Sequence, residues 1–570
     1  MSSGSSQIDG KGDLNPRMLG LFPAPTAWGA PPLAATMHIF RSALDSAEAQ
    51  MAEIHPFRAY RYDTKRVALK DVLTQPYDKI TPAMQESYYA ASPYNLIAIE
   101  KGRVLPGDST SSHAASSDST SIGSGAGSVS GSVTGGSVKS SATSNSAAVA
   151  TASRASTETN VYTRAAQKVD EWIAEKILVQ DASPSIYVYS QDYLVPGTHS
   201  RRTRIGFIAL GRVEDYSAHV VFPHERTLSA PKADRIELLR HTHMQTGQLF
   251  MLYDDASRKI EMLLEDFARR NTAIEMRDEF DVTHKLWPVA DPDVIKRIET
   301  AMAQQKLVIA DGHHRYETAL NYRNECRTQS GKPDPMAAYE FAMMTFINTH
   351  SKGLTILPTH RLLRNLENFD FERFRESISH YFDWYSYPFQ DAEERAASYA
   401  EFRRDLEGTN HGRRAIGIYA ASPSSSGKQT SEKQAAEAAQ AGAAHASSGA
   451  FYLFLLRHDV DLELLLPDLS EAQRGLDVVL LHRVMFEKGL GITAEAVAAE
   501  KYVSYEREFD AAIAAVDRGD AQLACLLNPV RIKQVTDIAL SGGVLPQKST
   551  DFYPKLLSGE AIYRVEGHIE

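Results

Sequence analysis

The segment KLVIADGHHRYETALNYRNE, Lys306 to Glu325, carries the densest set of groups able to hold an anion. Asp311, Gly312, His313, His314 and Arg315 follow a short apolar run, Leu307 to Ala310, and precede Tyr316, Ala319, Leu320 and Arg323 at helical spacing. A strand, a Gly turn and a helix start leave backbone N–H groups unpaired at the positive end of the helix dipole. Arg315 adds a fork that matches phosphate oxygens, and His313 and His314 add donors or proton carriers near neutral pH. The alternative is that Asp311 merely caps the helix while His313 and His314 satisfy core carbonyls. Consecutive nitrogen donors after a buried strand favour the anion site.

A second cluster is PHERTLSAPKADRIELLRHTHMQTGQLF, Pro223 to Phe250. With few apolar residues before Ile236, it reads as a charged loop leading into a helix. Glu225 has the chemistry of a general base, and Lys232 and Arg235 that of a phosphate clamp. Taken alone, a solvated loop with surface ion pairs describes it better. His241 and His243 do not form a metal pair, because those helix positions point apart. HPFRAYRYD (His55 to Asp63) and TQPYDKI (Thr74 to Ile80) set aromatic and basic groups around Pro76, and GLTILPTHRL places His360 and Arg361 after a strand-like run. LPQKSTDFYPKLLSGE supplies Lys548, Ser549 and Lys555 in a stretch that reads equally as a loop over a ligand or a surface loop.

The elements that must position these groups alternate between helix and strand. Thr81-Pro82 has the hydroxyl and proline of a helix start. Val161, Ala165, Val169, Trp172, Ile173 and Ile177 recur at helical spacing, whereas SIYVYS (Ser185 to Ser190) and IGFIAL (Ile205 to Leu210) have strand composition. FAMMTFI, Phe341 to Ile347, is apolar throughout, which a buried strand or a buried helix would satisfy. Asp477 to Phe486 reads as helix and Ala521 to Leu527 as strand. The fold class is therefore mixed α/β (α+β). The expected organisation is a disordered leader over 1–50, an N-terminal catalytic region over 51–375 and a C-terminal α/β region over 376–570. Two Ser/Ala-rich insertions, about 108–159 and 421–449, bury too little apolar surface to offset the entropy of ordering.

The chain has 570 residues, 43% of them hydrophobic, and a net charge of −11. That balance disfavours a nucleic-acid partner. Cys326 and Cys525 are the whole cysteine content, too few for a disulfide framework or a zinc motif, and a reducing compartment fits. No stretch approaches the roughly 18 apolar residues of a membrane span. A cytoplasmic protein is expected; Arg17 and Arg41 in the leader give a weak organellar pattern that Asp9 and Asp13 oppose.

HPFRAYRYD, QPYDKIT, SPYNLI, HERTLSAPKADR, ADGHHRYETAL, GLTILPTHRL, LHR at Leu481 to Arg483, LLNP at Leu526 to Pro529 and QKSTDFYPKL resemble, in order, the motifs of a bacterial family, the domain of unknown function family ten-fifteen. The resemblance runs from about Ala52 to about Ile562, and the leader and insertions depart from it. The DGHHR turn also resembles the DGHxR turn of free-serine kinases in the ParB/sulfiredoxin superfamily. Asp311, Gly312, His313 and Arg315 match, and His314 stands where those kinases usually have Thr. Sulfiredoxins need a Cys where this chain has His313, and the ParB branch needs a basic DNA-reading module.

The resemblance implies a phosphotransferase acting with ATP or ADP and Mg2+ on a small hydroxy-metabolite, L-serine or, in reverse, phosphoserine. Gly312, His313, His314 and Arg315 would hold phosphates, and Asp311 a substrate hydroxyl or hydrated magnesium. Glu225 would act as base, His313 would assist, and Lys232 and Arg235 would stabilise the transferring group. A non-catalytic nucleotide-binding regulator and a ParB-like nucleic-acid-processing protein are the competing expectations.

Overall fold

In the segment FAMMTFIN every residue from Phe341 to Asn348 is buried. A strand of that kind must be covered on both faces, and it sits centrally in a nine-stranded sheet. The computed structural model describes residues 51–108, 159–225, 229–409, 412–421 and 448–569. Across the sheet the strands run Val221–Phe222, Leu307–Asp311, Leu249–Tyr253, Phe341–Asn348, Arg201–Arg212, Ile186–Leu194, Thr283–Val289 and Ile274–Arg277, with Ile54–His55 pairing Arg201–Arg212. The Leu307–Asp311 strand is parallel to Val221–Phe222, and Phe341–Asn348 is parallel to Leu249–Tyr253; the other pairs are antiparallel.

Side chains alternate faces along a strand, and the two faces are covered by different parts of the chain. Phe207, Met251, Ile309 and Met344 pack under the Lys259–Arg270, Pro292–Met302 and His313–Ser330 helices. Ile208, Leu252, Val308 and Met343 pack instead against Phe552, Leu556, Ala561 and Tyr563 from the end of the chain. Each fully buried side chain of this size contributes about 1.5–3 kcal/mol. The Asp551–Tyr553 strand pairs with Thr355–Leu357, and Tyr563–Arg564 pairs with Met244–Gln245.

A second, six-stranded antiparallel sheet has the order Phe382–Phe389, Gly449–Leu456, Ala415–Ala421, Leu523–Leu526, His360–Leu363, Val503–Glu506. The Phe371–Ile378 helix and the helical stretch from Asp477 cover one face, and Ala392–Gly408 with Phe509–Asp517 cover the other.

The mixed fold class is as the sequence implies. The helix after Thr81 spans Pro82–Ala91, with the Thr81 hydroxyl accepting the Met84 N–H at 3.2 Å. The Val161 helix ends at Ala174 and buries Ala165, Val169 and Trp172. The stretch from Asp477 is helical but changes to a π-helix over Leu481–Gly489. One reading is corrected. The charged loop expected before Ile236 is in fact helical from Ser229 to Thr242, so Lys232, Asp234 and Arg235 project from a helix. No helix among the described residues is long and apolar enough to cross a membrane.

The leader, residues 226–228 and the two insertions, apart from their edges, lie outside the described residues. Those edges are informative. Asp108 accepts two hydrogen bonds from Arg164, which closes the neck of the first insertion. Ala421 and Gly449 are directly opposed in one antiparallel hairpin. Replacing residues 422–448 with Asn-Gly, the pair that suits a two-residue hairpin turn, should therefore change closure entropy by about 1 kcal/mol. A thermal midpoint within ~4 °C of the parent is expected by calorimetry. A much larger loss would show that the fold depends on the segment.

Candidate functional site

Asp311 ends its strand, and Gly312 turns the chain with φ +93 into the His313–Ser330 helix. Only glycine takes that backbone without strain, and the space is closed as well: a Cβ there would lie 3.2 Å from the Arg315 guanidinium and from Leu249. Among the described residues no side chain caps the helix. The first-turn amides have no partner within the helix.

Asp311 does not cap because its carboxylate is engaged elsewhere. Lys555 donates to it at 2.8 Å and also pairs with Asp551 at 3.1 Å. Arg507 holds the other oxygen of Asp551 at 2.5 Å. Burial pushes the Asp311 carboxyl up, but the Lys555, Arg315 and Lys79 charges outweigh it and hold the group well below the usual carboxylate range. The Lys555 ammonium is pushed down by burial, yet the Asp311 and Asp551 charges raise it overall. The backbone beside Lys555 is fixed too. Arg204, fully buried, donates to the carbonyls of Tyr553 and Pro554, and Gln191 donates to the Lys555 carbonyl at 2.8 Å.

Glu225 comes to the same place through strand register. Phe222 is paired with Val308 in the parallel ladder, so Glu225 and Asp311 each lie three residues beyond that pair, at the carboxyl ends of adjacent strands. The Glu225 carboxylate accepts the Lys548 N–H at 3.3 Å. Burial raises its pKa above the ordinary value, and the negative charge of Asp311 adds to the rise.

The histidines have fixed roles. His224 Nδ1 donates to the Ile309 carbonyl at 2.6 Å and its Nε2 accepts the Thr550 hydroxyl at 2.9 Å. The His224 backbone N–H donates to His313 Nε2 at 3.3 Å, and the two rings meet edge to face at 4.6 Å. A neutral His313 with its proton on Nδ1 is the form this geometry accepts. Burial pushes His224 down to about 4 and, with His224 beside it, lowers His313 well below its usual value. His314 is half-buried and lowered by burial.

The expected clamp residues surround the turn but are already paired. Lys232 binds Glu317 at 2.6 Å, one turn into the His313 helix. Arg235 binds Asp234 and the Glu100 carbonyl and lies 4.3 Å over the Tyr77 ring. Arg235 and Arg315 line one cavity of about 60 Å³ together with Glu100. Arg315 itself donates to the Gln248 carbonyl.

Lys79 is the cation that the sequence reading missed. Burial depresses its pKa, Lys555 adds to the depression, and Asp311 and Asp551 oppose it. The signal was present in TQPYDKI, but nothing local ties that motif to Asp311. Among the described residues no group of three His, Cys, Asp or Glu side chains converges as a protein-only metal cage. A magnesium ion held mainly by phosphate and water would need only one or two carboxylates; Asp311 and Asp551 are carboxylates at the turn, and both are paired with Lys555.

The molecule is thus a mixed α/β protein whose first sheet ends in an uncapped, cation-rich strand–turn–helix. The family described as Protein of unknown function (DUF1015) matches residues 54–121 and 144–479, and the chain belongs to it. Among solved structures it is similar to a conserved hypothetical protein from Pyrococcus furiosus, at 13% identity over 61% of this chain and 92% of that one, with a TM-score of 0.26. It is also similar to a free serine kinase variant in complex with AMP, at 10% identity over 61% and 89% of the two chains, with a TM-score of 0.28. A further variant of that kinase in complex with ADP matches at 11% identity over 61% and 89%, with a TM-score of 0.28. No curated protein matches.

Removing one member of a buried pair leaves the other charge uncompensated, at about 3–5 kcal/mol when burial is complete. Asp311 keeps 27% side-chain exposure, so Lys555→Met should cost about 2–4 kcal/mol in urea unfolding. Asp311→Asn combined with Lys555→Met should recover most of it. Because the folded-state pKa of Asp311 is depressed, its contribution is present above the unfolded value of roughly 3.9 and is lost as pH falls. The stability difference between the wild type and the double variant should therefore begin to shrink below about pH 4 and go on shrinking as pH falls toward the depressed folded-state value. A double variant no better than Lys555→Met would show that the pair does not hold the site together.

Proposed function

We propose that this protein is a phosphotransferase of the free-serine-kinase type, moving a phosphoryl group between ATP or ADP and a small hydroxy-metabolite such as L-serine, or running in reverse from phosphoserine. The observation that carries the reading is the register of the parallel strands, which sets a carboxyl of raised pKa, Glu225, beside an uncapped helix start ringed by Arg315, Lys79 and Lys555. Phosphoryl transfer depends mainly on positioning and charge neutralisation, and those are the features present.

In the proposed reaction the His313 and Arg315 amides, the Gly312 turn and the side chains of His314 and Arg315 hold the phosphates. The buried ring of His313, neutral and occupied at Nε2, keeps the turn in place. Glu225 removes the hydroxyl proton of the substrate as its oxygen bonds to phosphorus. The bond from phosphorus to the bridging oxygen of the nucleotide breaks, and the shortened nucleotide leaves with that electron pair. A Glu225 pKa raised by burial makes its carboxylate a stronger base than an exposed one. Lys79 and Lys555 lie where charge develops, and Lys232 and Arg235 would join by exchanging their carboxylate partners for phosphate. Magnesium, held by Asp311, would neutralise phosphate oxygens.

The test is to incubate the protein with ATP or ADP, magnesium and a panel of small alcohols including L-serine, with phosphoserine for the reverse direction, and to follow transfer by mass spectrometry. Glu225→Gln should lower turnover by roughly 10²- to 10⁴-fold with nucleotide affinity unchanged. Arg315→Ala should weaken nucleotide binding by about one to two orders of magnitude. Nucleotide binding without transfer to any member of the panel would replace the enzyme with a nucleotide-binding regulator, and wild-type turnover in Glu225→Gln would remove it as base.

A further inference from the structure

A cavity of about 120 Å³ in the second-sheet region is lined by four arginines, Arg361, Arg413, Arg414 and Arg531. By the same measure one water needs roughly 10–15 Å³, so there is room for a group the size of phosphate or larger. Among the described residues, none of the four forms an ion pair. Arg361, only 1% exposed, is held by the carbonyls of Thr359, Gln547 and Lys548 and by His482 Nε2, all uncharged acceptors. Arg531 donates to the Gln534 side chain at 3.3 Å. The Nε atoms of Arg413 and Arg414 are buried and have no hydrogen-bond partner.

This arrangement is unusual in a chain of net charge −11. Arg361 is buried, Arg413 and Arg414 are half-buried and Arg531 is exposed. A buried guanidinium is ordinarily matched by a carboxylate, since an unpaired buried donor or charge is costly, and Arg361 has only uncharged acceptors. The one acid lining the cavity is Asp477, which accepts the Ala415 N–H at 3.2 Å and is pushed by burial up to about 7. It neutralises the cluster only in part. Asn528, Pro529 and Val530 lead into the Ile532–Leu540 helix on one wall, so the positive end of that helix adds to the same field.

We propose that this cavity is a second oxyanion site, separate from the Asp311 turn, that takes a phosphate or pyrophosphate group. Arginine forks suit tetrahedral oxyanions through paired N–H donors, and the Nε groups of Arg413 and Arg414 are donors that no described residue uses. The site also touches the loop that closes the first one. Ser549 lines the cavity, Arg361 holds the Gln547 and Lys548 carbonyls, and the Lys548 N–H reaches Glu225. An anion there would steady the 547–555 stretch that delivers Lys555.

The experiment uses the full chain carrying Arg315→Ala, which disables the turn, and inorganic pyrophosphate as the probe in calorimetry. One-site binding should persist, and adding Arg413→Gln and Arg414→Gln should weaken it tenfold or more. On the Arg315→Ala protein alone, pyrophosphate should slow amide exchange over 412–414 and 530–534. Absence of pyrophosphate binding in Arg315→Ala, affinity indifferent to the two Gln substitutions, or protection confined to 311–316 would each overturn the proposal.

Discussion

A carboxylate at the end of a buried strand keeps its charge only if a cation is brought to it, and in this molecule the cation comes from the far end of the chain. Lys555 lies 244 residues from Asp311 and binds it at 2.8 Å. The rest of the architecture follows from that contact. The chain from Phe552 to Tyr563 must cross the open face of the first sheet and bury Phe552, Leu556 and Tyr563 there. Arg204 and Gln191 must rise from neighbouring strands to pin the backbone around Pro554. With Asp311 occupied by Lys555, the helix behind Gly312 has no side-chain cap among the described residues.

The second constraint is register. Two paired residues, Val221 with Leu307 and Phe222 with Val308, fix an entire edge of the site. A slip of one residue would shift Glu225 by one position relative to Asp311. The histidine pair stabilises this register from beneath. His224 ties its own strand to the Ile309 carbonyl and to the His313 ring, and both rings are kept neutral by burial. Glu225, the turn and the cations thus rest on a network whose members are individually ordinary and jointly specific.

The strand–turn–helix was legible in the sequence because all its signals are local: an apolar run, one glycine and a helical repeat within a single stretch. Thr81 was legible as a cap for the same reason. Phe341 to Ile347 was not decidable, since a strand buried on both faces has no period to distinguish it from a buried helix. The Ser229–Thr242 helix was hidden because its first turns carry Lys232, Asp234 and Arg235 rather than an apolar stripe. Glu225 was identified as a base by its type alone. Its nearness to Asp311 depends on a two-residue parallel pairing too short to leave a pattern, and the Lys79 and Lys555 contributions depend on contacts between distant segments.

The central claim is that the Gly312 turn receives the phosphates of a nucleotide with Glu225 facing the group to be transferred. A crystal structure of the wild-type protein with ADP and magnesium tests it most directly. The account predicts phosphate oxygens within hydrogen-bond distance of the His313 and Arg315 amides, with the Glu225 carboxylate opposite the terminal phosphate. A nucleotide seated elsewhere, with the turn amides still facing water, would contradict it.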